Sequence, residues 1–160
     1  MNPELGHGGP ADDHETPVVR LLLVDDSTTM RSFLSRILNG SAGISVVGEC
    51  ADGTEVSAKA VEVVPDVVVM DLTMPVMNGL EAIHVLLDAQ PTARVLMFSA
   101  SEDPHDLQQA AEAGAVGFVR KDGDFAALVS AIHTVAAGGT AWSAPKATSD
   151  AVRSAEIPRE

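Results

Sequence analysis

Residues 67–79 read VVVMDLTMPVMNG. The first four are apolar without a break, which suits a short strand covered on both faces, as in the middle of a parallel sheet flanked by helices. Asp71 stands at the carboxyl end of that strand, and Gly79 opens a stretch that places Leu80, Ile83 and Leu87 at helical spacing before Pro91.

Outward from this segment the same alternation repeats, for five strand-and-helix rounds beginning at Val18. The first strand is expected at Val19 to Val24, with a helix carrying Met30, Phe33, Leu34, Ile37 and Leu38 on one face until Asn39 and Gly40 stop it. The second runs from Ile44 to Cys50, followed by a helix opened by Asp52 and Gly53, with Val56, Ala60, Val63 and Val64 inward, and ended before Pro65. The fourth covers Val95 to Phe98, with a helix from Pro104 to Gly114; the fifth covers Val116 to Arg120, with Phe125, Leu128, Val129, Ile132 and Ala136 on the final helix.

At 160 residues and 46% hydrophobic content, the chain makes one domain that can bury a core without staples. A net charge of -13 with no basic stripe argues against a nucleic-acid surface. No signal peptide or membrane-spanning run is present in the sequence, so a cytoplasmic location without membrane contact is expected. The single cysteine, Cys50, reads as a reduced core residue. Residues 1–17, acidic and without apolar period, read as a disordered leader, and residues 143–160 as a polar tail. His7 and His14 fall in that leader and read as solvated; His84 and His133 lie beside apolar faces and read as packing or surface residues.

In an open parallel sheet, chemistry gathers where the carboxyl ends of strands meet the loops. Asp25 and Asp26 follow the first strand, Asp71 the third, Ser99 the fourth and Lys121 the fifth, so residues distant in sequence converge on one edge. Asp26 taken alone could equally cap the first helix. Three crowded carboxylates resist ionisation unless a cation joins them. Oxygen donors without cysteine or a histidine cluster favour Mg²⁺, and Lys121 offers one positive charge to a phosphoryl oxygen.

Four strings at these strand ends, LLLVDD at 21–26, VVVMDLTMPVMNG at 67–79, FSA at 98–100 and GFVRKD at 117–122, make residues 18–142 resemble the receiver domains of bacterial response regulators. The resemblance implies a flavodoxin-like, doubly wound α/β fold with a five-stranded parallel sheet of order 2-1-3-4-5. It implies that Asp71 is the phosphoacceptor, that Asp26, Asp71 and the Thr73 backbone carbonyl ligate Mg²⁺, and that Asp25 acts through water. It further implies that Ser99 hydrogen-bonds the phosphoryl group, that Lys121 pairs with it and that Phe118 is the aromatic switch. The donor would be a sensor histidine kinase or a small acyl phosphate, and the protein would be no enzyme but a phosphoacceptor assisting its own phosphorylation and dephosphorylation. The surface that changes would be the fourth helix, fifth strand and fifth helix, controlling a downstream protein target or an output domain; a phosphorylation-dependent homodimer stays open.

GFVRKD followed by AAGG at 136–139 resembles the NarL/FixJ type, whose members usually carry a helix-turn-helix output that this sequence does not contain. One alternative is therefore the receiver portion of a DNA-binding regulator; a second, from another class, is an aspartyl-phosphate phosphohydrolase. The phosphohydrolase chemistry usually has an acid two residues after the nucleophile, where Thr73 stands. Two departures from chemotaxis-type receivers also matter. Asp122 follows Lys121 in place of proline, so no cis peptide is expected there, and Phe118 keeps the switch ring without a hydroxyl. Thr73 and Ser101, at positions that can orient a hydrolytic water, offer neither carboxylate nor amide, which implies slow self-dephosphorylation.

Overall fold

The computed structural model describes residues 17–142, and the apolar runs form strands where the sequence places them. These are β1 (Val19–Val24), β2 (Ile44–Cys50), β3 (Val67–Met70), β4 (Val95–Ser99) and β5 (Gly117–Arg120), all parallel. The helices are α1 (Thr28–Asn39), α2 (Val56–Val63), α3 (Gly79–Ala89), α4 (Pro104–Ala113) and α5 (Phe125–Ala136). The leader and tail expected at 1–17 and 143–160 lie, apart from Pro17, outside the described residues.

Side-chain oxygens start most of these helices. Ser27 accepts from the Met30 amide, Asp103 from the His105 amide and Asp124 from the Ala126 amide, while Asn78 and Glu81 form a reciprocal capping box on α3. Asp52 does the same for a single 3₁₀ turn, Gly53–Glu55, that precedes α2. The chain leaves α4 at Gly114, whose φ of 113° a residue without a Cβ adopts freely.

Alternation along the strands divides the core in two. Leu22, Val24, Val68, Met70, Met97 and Phe118 face α2, α3 and α4. Leu21, Leu23, Val69, Leu96 and Val119 face α1 and α5. With both faces covered, β3 is buried throughout, as its unbroken apolar run required.

The sheet differs from the five-strand expectation in having a sixth strand, β6 (Ala141–Trp142), so the order is β2-β1-β3-β4-β5-β6. Two residues are too few to show alternation, and Gly138 and Gly139 read only as a helix stop. Gly117 makes the pairing fit, since a Cβ there would lie 2.5 Å from the Ala141 carbonyl oxygen. The Ala141 amide donates to the Val116 carbonyl at 3.1 Å.

Two apolar positions also fall outside the faces assigned to them. Phe33 is 49% exposed and meets Phe125 edge to face at 6.5 Å between centroids, because α1 turns only Leu34 and Leu38 fully into the core. Val64 is not inside α2 but caps it in a left-handed conformation, φ 46°, exposed to solvent. The turn is held by Arg20, whose Nε donates to the Val64 carbonyl at 3.3 Å and whose Nη2 donates to that of Val63.

Register is what builds the site. Val24 pairs with Met70, so the next residues, Asp25 and Asp71, stand side by side. The ladder continues past the strands: the Asp25 amide donates to the Cys50 carbonyl at 3.1 Å, that of Asp71 to Val24 at 3.0 Å and that of Lys121 to Ser99 at 2.8 Å. The start of α3 is wedged beneath, where a Cβ on Gly79 would lie 2.5 Å from the Asp71 carbonyl oxygen and 2.9 Å from the Leu72 Cα. Both neighbours are backbone and cannot yield cheaply. Gly79→Ala is expected to destabilise the fold by about 1–3 kcal/mol, read from urea denaturation. An unchanged midpoint would contradict the tight approach of α3 to β3.

Candidate functional site

Asp25, Asp26, Asp71 and Lys121 converge at the carboxyl ends of β1, β3 and β5, as the sequence reading expected. Each of the three acids offers a carboxylate oxygen, and these oxygens lie within 4.8 Å of one another. Asp25 and Asp71 are buried, at 2% and 7% exposure, whereas Asp26 faces solvent at the rim. Lys121 Nζ reaches Asp25 Oδ2 at 2.9 Å and Asp71 Oδ2 at 3.2 Å, bridging partners 96 and 50 residues away in the chain.

Thr73 follows β3, Ser99 ends β4 and Phe118 lies on β5. The Thr73 amide donates to Asp71 Oδ1 at 3.4 Å. Ser99, the last residue of β4, is 1% exposed and its Oγ accepts from the Ser101 amide at 3.1 Å. Among the described residues neither Ser99 nor Phe118 bonds Asp71 directly. Phe118 is 1% exposed, its ring enclosed in the core cluster shared with Met97, Leu86 and Ala110. The peptide between Lys121 and Asp122 is trans.

Burial pushes the Asp71 carboxyl above the usual carboxylate range, and Asp25 adds to this while the Lys121 ammonium opposes it. For Lys121 burial works against the charge, yet its bonds and charge contacts with Asp25 and Asp71 outweigh that and raise its pKa. Three carboxylates thus face one ammonium, leaving a surplus of negative charge when all are ionised. The donors are oxygen only and one flank is open to solvent, so the residues fit a hard divalent cation such as Mg²⁺. Cys50, the last residue of β2, is not part of this chemistry: burial and then Glu55 push its thiol up to about 12, so it stays protonated.

Two contributors were not anticipated. Phe98 lies under the ammonium, with Lys121 Nζ 5.9 Å from the ring centroid, giving the cation an apolar, polarisable floor. Arg31 donates to the Asp25 carbonyl at 2.6 Å and to Glu49 at 3.1 Å. Phe98 stands inside a quoted motif but has only the pattern of a strand residue; Arg31 is not among the residues singled out, and nothing in its spacing marks a bond back to Asp25. Nearby, Arg120 ties Glu102 of the β4–α4 loop to Asp122 of the β5–α5 loop, linking the two loops that carry Ser101 and Lys121. His84 and His133 are exposed, the latter 3.2 Å from the Ala42 carbonyl.

Residues 21–133 match the response regulator receiver domain family. The chain is 38% identical to the response regulator GacA of Pseudomonas viridiflava over 121 residues, covering 76% of this chain and 56% of that protein. It is 38% identical over 116 residues to the chemotaxis protein CheY of Thermotoga maritima, covering 72% of this chain and 96% of that one. A two-component response regulator of the LuxR family from Aurantimonas sp. SI85-9A1 superposes with a TM-score of 0.75 at 39% identity, over 78% of this chain and 89% of that one. The chain therefore spans just over half the length of GacA.

Asp71 titrates higher in the folded protein than in the unfolded chain, so its ionisation removes stability as pH rises from the ordinary carboxylate range through that higher folded value. The cost grows above the ordinary carboxylate range and is complete only above the folded value. With EDTA present, Asp71→Asn is therefore expected to melt above wild type at neutral pH, with the gap closing as the pH falls toward the carboxylate range. Thermal melts followed by circular dichroism read this directly. A variant less stable than wild type at neutral pH would contradict it.

Proposed function

This chain belongs to the response regulator receiver domains of two-component systems, and on that footing we propose that residues 18–142 form a phosphoacceptor in which Asp71 takes a phosphoryl group from a sensor histidine kinase. The observation that carries the reading is Lys121, whose ammonium bridges the buried Asp25 and Asp71 from a third strand end.

In the transfer, an Asp71 carboxylate oxygen forms a bond to phosphorus as the phosphorus–nitrogen bond of the donor phosphohistidine breaks, its electron pair leaving with the imidazole. Lys121 holds the receiving carboxylate in place and offsets charge on the incoming oxygens. Asp26, Asp71 and the Thr73 carbonyl would hold Mg²⁺, with Asp25 acting through water; when bound, the ion supplies further charge neutralisation at the phosphoryl oxygens. The protein assists its own phosphorylation and dephosphorylation and turns over no separate substrate.

Phosphorylation adds negative charge and acceptor oxygens beside Ser99, which draws its hydroxyl inward and biases the Phe118 ring. The face built by α4, β5 and α5 then presents a different surface to its target. A differential of about 1–3 kcal/mol is enough to change partner affinity several-fold to a hundred-fold. That target is a separate protein or an output domain, and the match to only 56% of the length of GacA supports an output domain. A phosphorylation-dependent homodimer is compatible with either. Location in the cytoplasm follows from the same reading, and among the described residues no helix is long and apolar enough to cross a membrane.

Incubation with Mg²⁺ and a small acyl phosphate is expected to add one phosphate mass increment to the intact protein, absent in Asp71→Ala and absent with EDTA. An increment that survives in Asp71→Ala would overturn the assignment. The lifetime should be long, because Thr73 is exposed and lacks an amide or carboxylate, and the Ser101 hydroxyl is committed to Asp106. Thr73→Asn is expected to hasten decay several-fold by placing an amide where it can orient water. Fast wild-type decay, unchanged by the substitution, would contradict this.

A further inference from the structure

The proposed reading makes Asp26 a ligand to the cation, yet Asp26 is exposed and no side chain among the described residues holds its carboxylate. What fixes Asp26 is the backbone on either side of it. A peptide unit is planar, so the Asp25 carbonyl and the Asp26 amide turn together as one plate.

Arg31, in the first turns of α1, donates from Nη1 to that carbonyl at 2.6 Å. Its Nε donates to Glu49 Oε1 on β2 at 3.1 Å, so the planar guanidinium is gripped at two points and cannot swing. The side chain is only 16% exposed, and Asp25 is 2% exposed, so the carbonyl needs a partner that solvent does not supply. The next plate is held from the other side, where the Ser27 amide donates to Asp25 Oδ1 at 2.9 Å. Both peptide units that flank Asp26 are thus pinned, and their orientation presents its carboxylate toward Asp71.

We propose that Arg31 is a positioning residue for the cation site, fixing the Asp25–Asp26 peptide so that Asp26 is already aimed when the ion arrives. The proposal rests on the reading of Asp25, Asp26 and Asp71 as the Mg²⁺ site. It has an unusual sign. As a charge, a guanidinium beside three carboxylates repels an incoming dication, so removing it should tighten Mg²⁺ binding. As a positioning group its removal should weaken binding, because a loosened peptide must be ordered at the moment the ion is bound.

Calorimetric titration of the full chain with Mg²⁺ alone separates the two. Arg31→Gln is expected to weaken Mg²⁺ affinity about 10-fold despite the lost positive charge. Arg31→Lys, which keeps one donor for the carbonyl but not the fork, falls between it and wild type. Arg36→Gln, removing a positive charge from an exposed position on the same helix, is expected to bind at least as tightly as wild type. Melts in EDTA establish that each variant is folded at the titration temperature. Equal or tighter binding by Arg31→Gln overturns the proposal. If that variant does not fold, Arg31→Lys decides: weaker binding than wild type supports the proposal and equal binding overturns it. Failure of wild type to bind Mg²⁺ would defeat the cation reading itself, and this inference with it.

Discussion

One ammonium held between two buried carboxylates is the interaction on which the site turns. Asp25 and Asp71 are forced together by the pairing of β1 with β3, and both carboxylates are buried. Lys121 relieves that conflict, and it can do so only because β5 ends at the same edge of the sheet. The compensation is incomplete, since Asp71 remains harder to ionise than an ordinary carboxylate and Asp26 brings a further negative charge. A site left short of positive charge, with one flank open, suits a cation; an ammonium bonded to the buried Asp71 carboxylate suits an incoming oxyanion. Phosphoryl transfer requires both.

The fold serves this arrangement through register. Side chains alternate across a strand, so a slip of one residue between β1 and β3 would turn an acid into the core and a leucine or methionine out to the loops. The two core layers hold the register in place, and the continuation of the backbone ladder to Asp25, Asp71 and Lys121 carries it into the site. Gly79 and Gly117 act at a second level, letting α3 approach β3 and β6 approach β5 at distances that a Cβ would forbid.

Much of this could be read from the chain. The unbroken VVVM run announced a central strand, and Asp25, Asp26, Asp71 and Lys121 were assigned to one edge because each follows an apolar run in a repeating α/β pattern. The structure places them at that one edge, with Lys121 bonded to Asp25 and Asp71 and the three carboxylates within 4.8 Å of one another. What was not legible depends on short or indirect contacts. β6 is two residues long and shows no period; Phe33 has the spacing of a core residue but α1 is rotated so that it meets Phe125 at the surface. Phe98 and Arg31 act through a ring face and a backbone carbonyl, interactions with no sequence signature. The roles of Ser99 and Phe118 likewise come from family likeness, since among the described residues no hydrogen bond joins either to Asp71.

If the three acids and Lys121 work as one site for a cation and a phosphoryl group, beryllofluoride, a tetrahedral mimic of that group, should bind only where all of them are intact. Fluorine NMR of the protein with Mg²⁺ and beryllofluoride reads this without any kinase or target. A bound fluoride resonance is expected in wild type, lost on removing Mg²⁺ and lost in Lys121→Met; a resonance that persists without the ion, or in the lysine variant, would contradict the shared site.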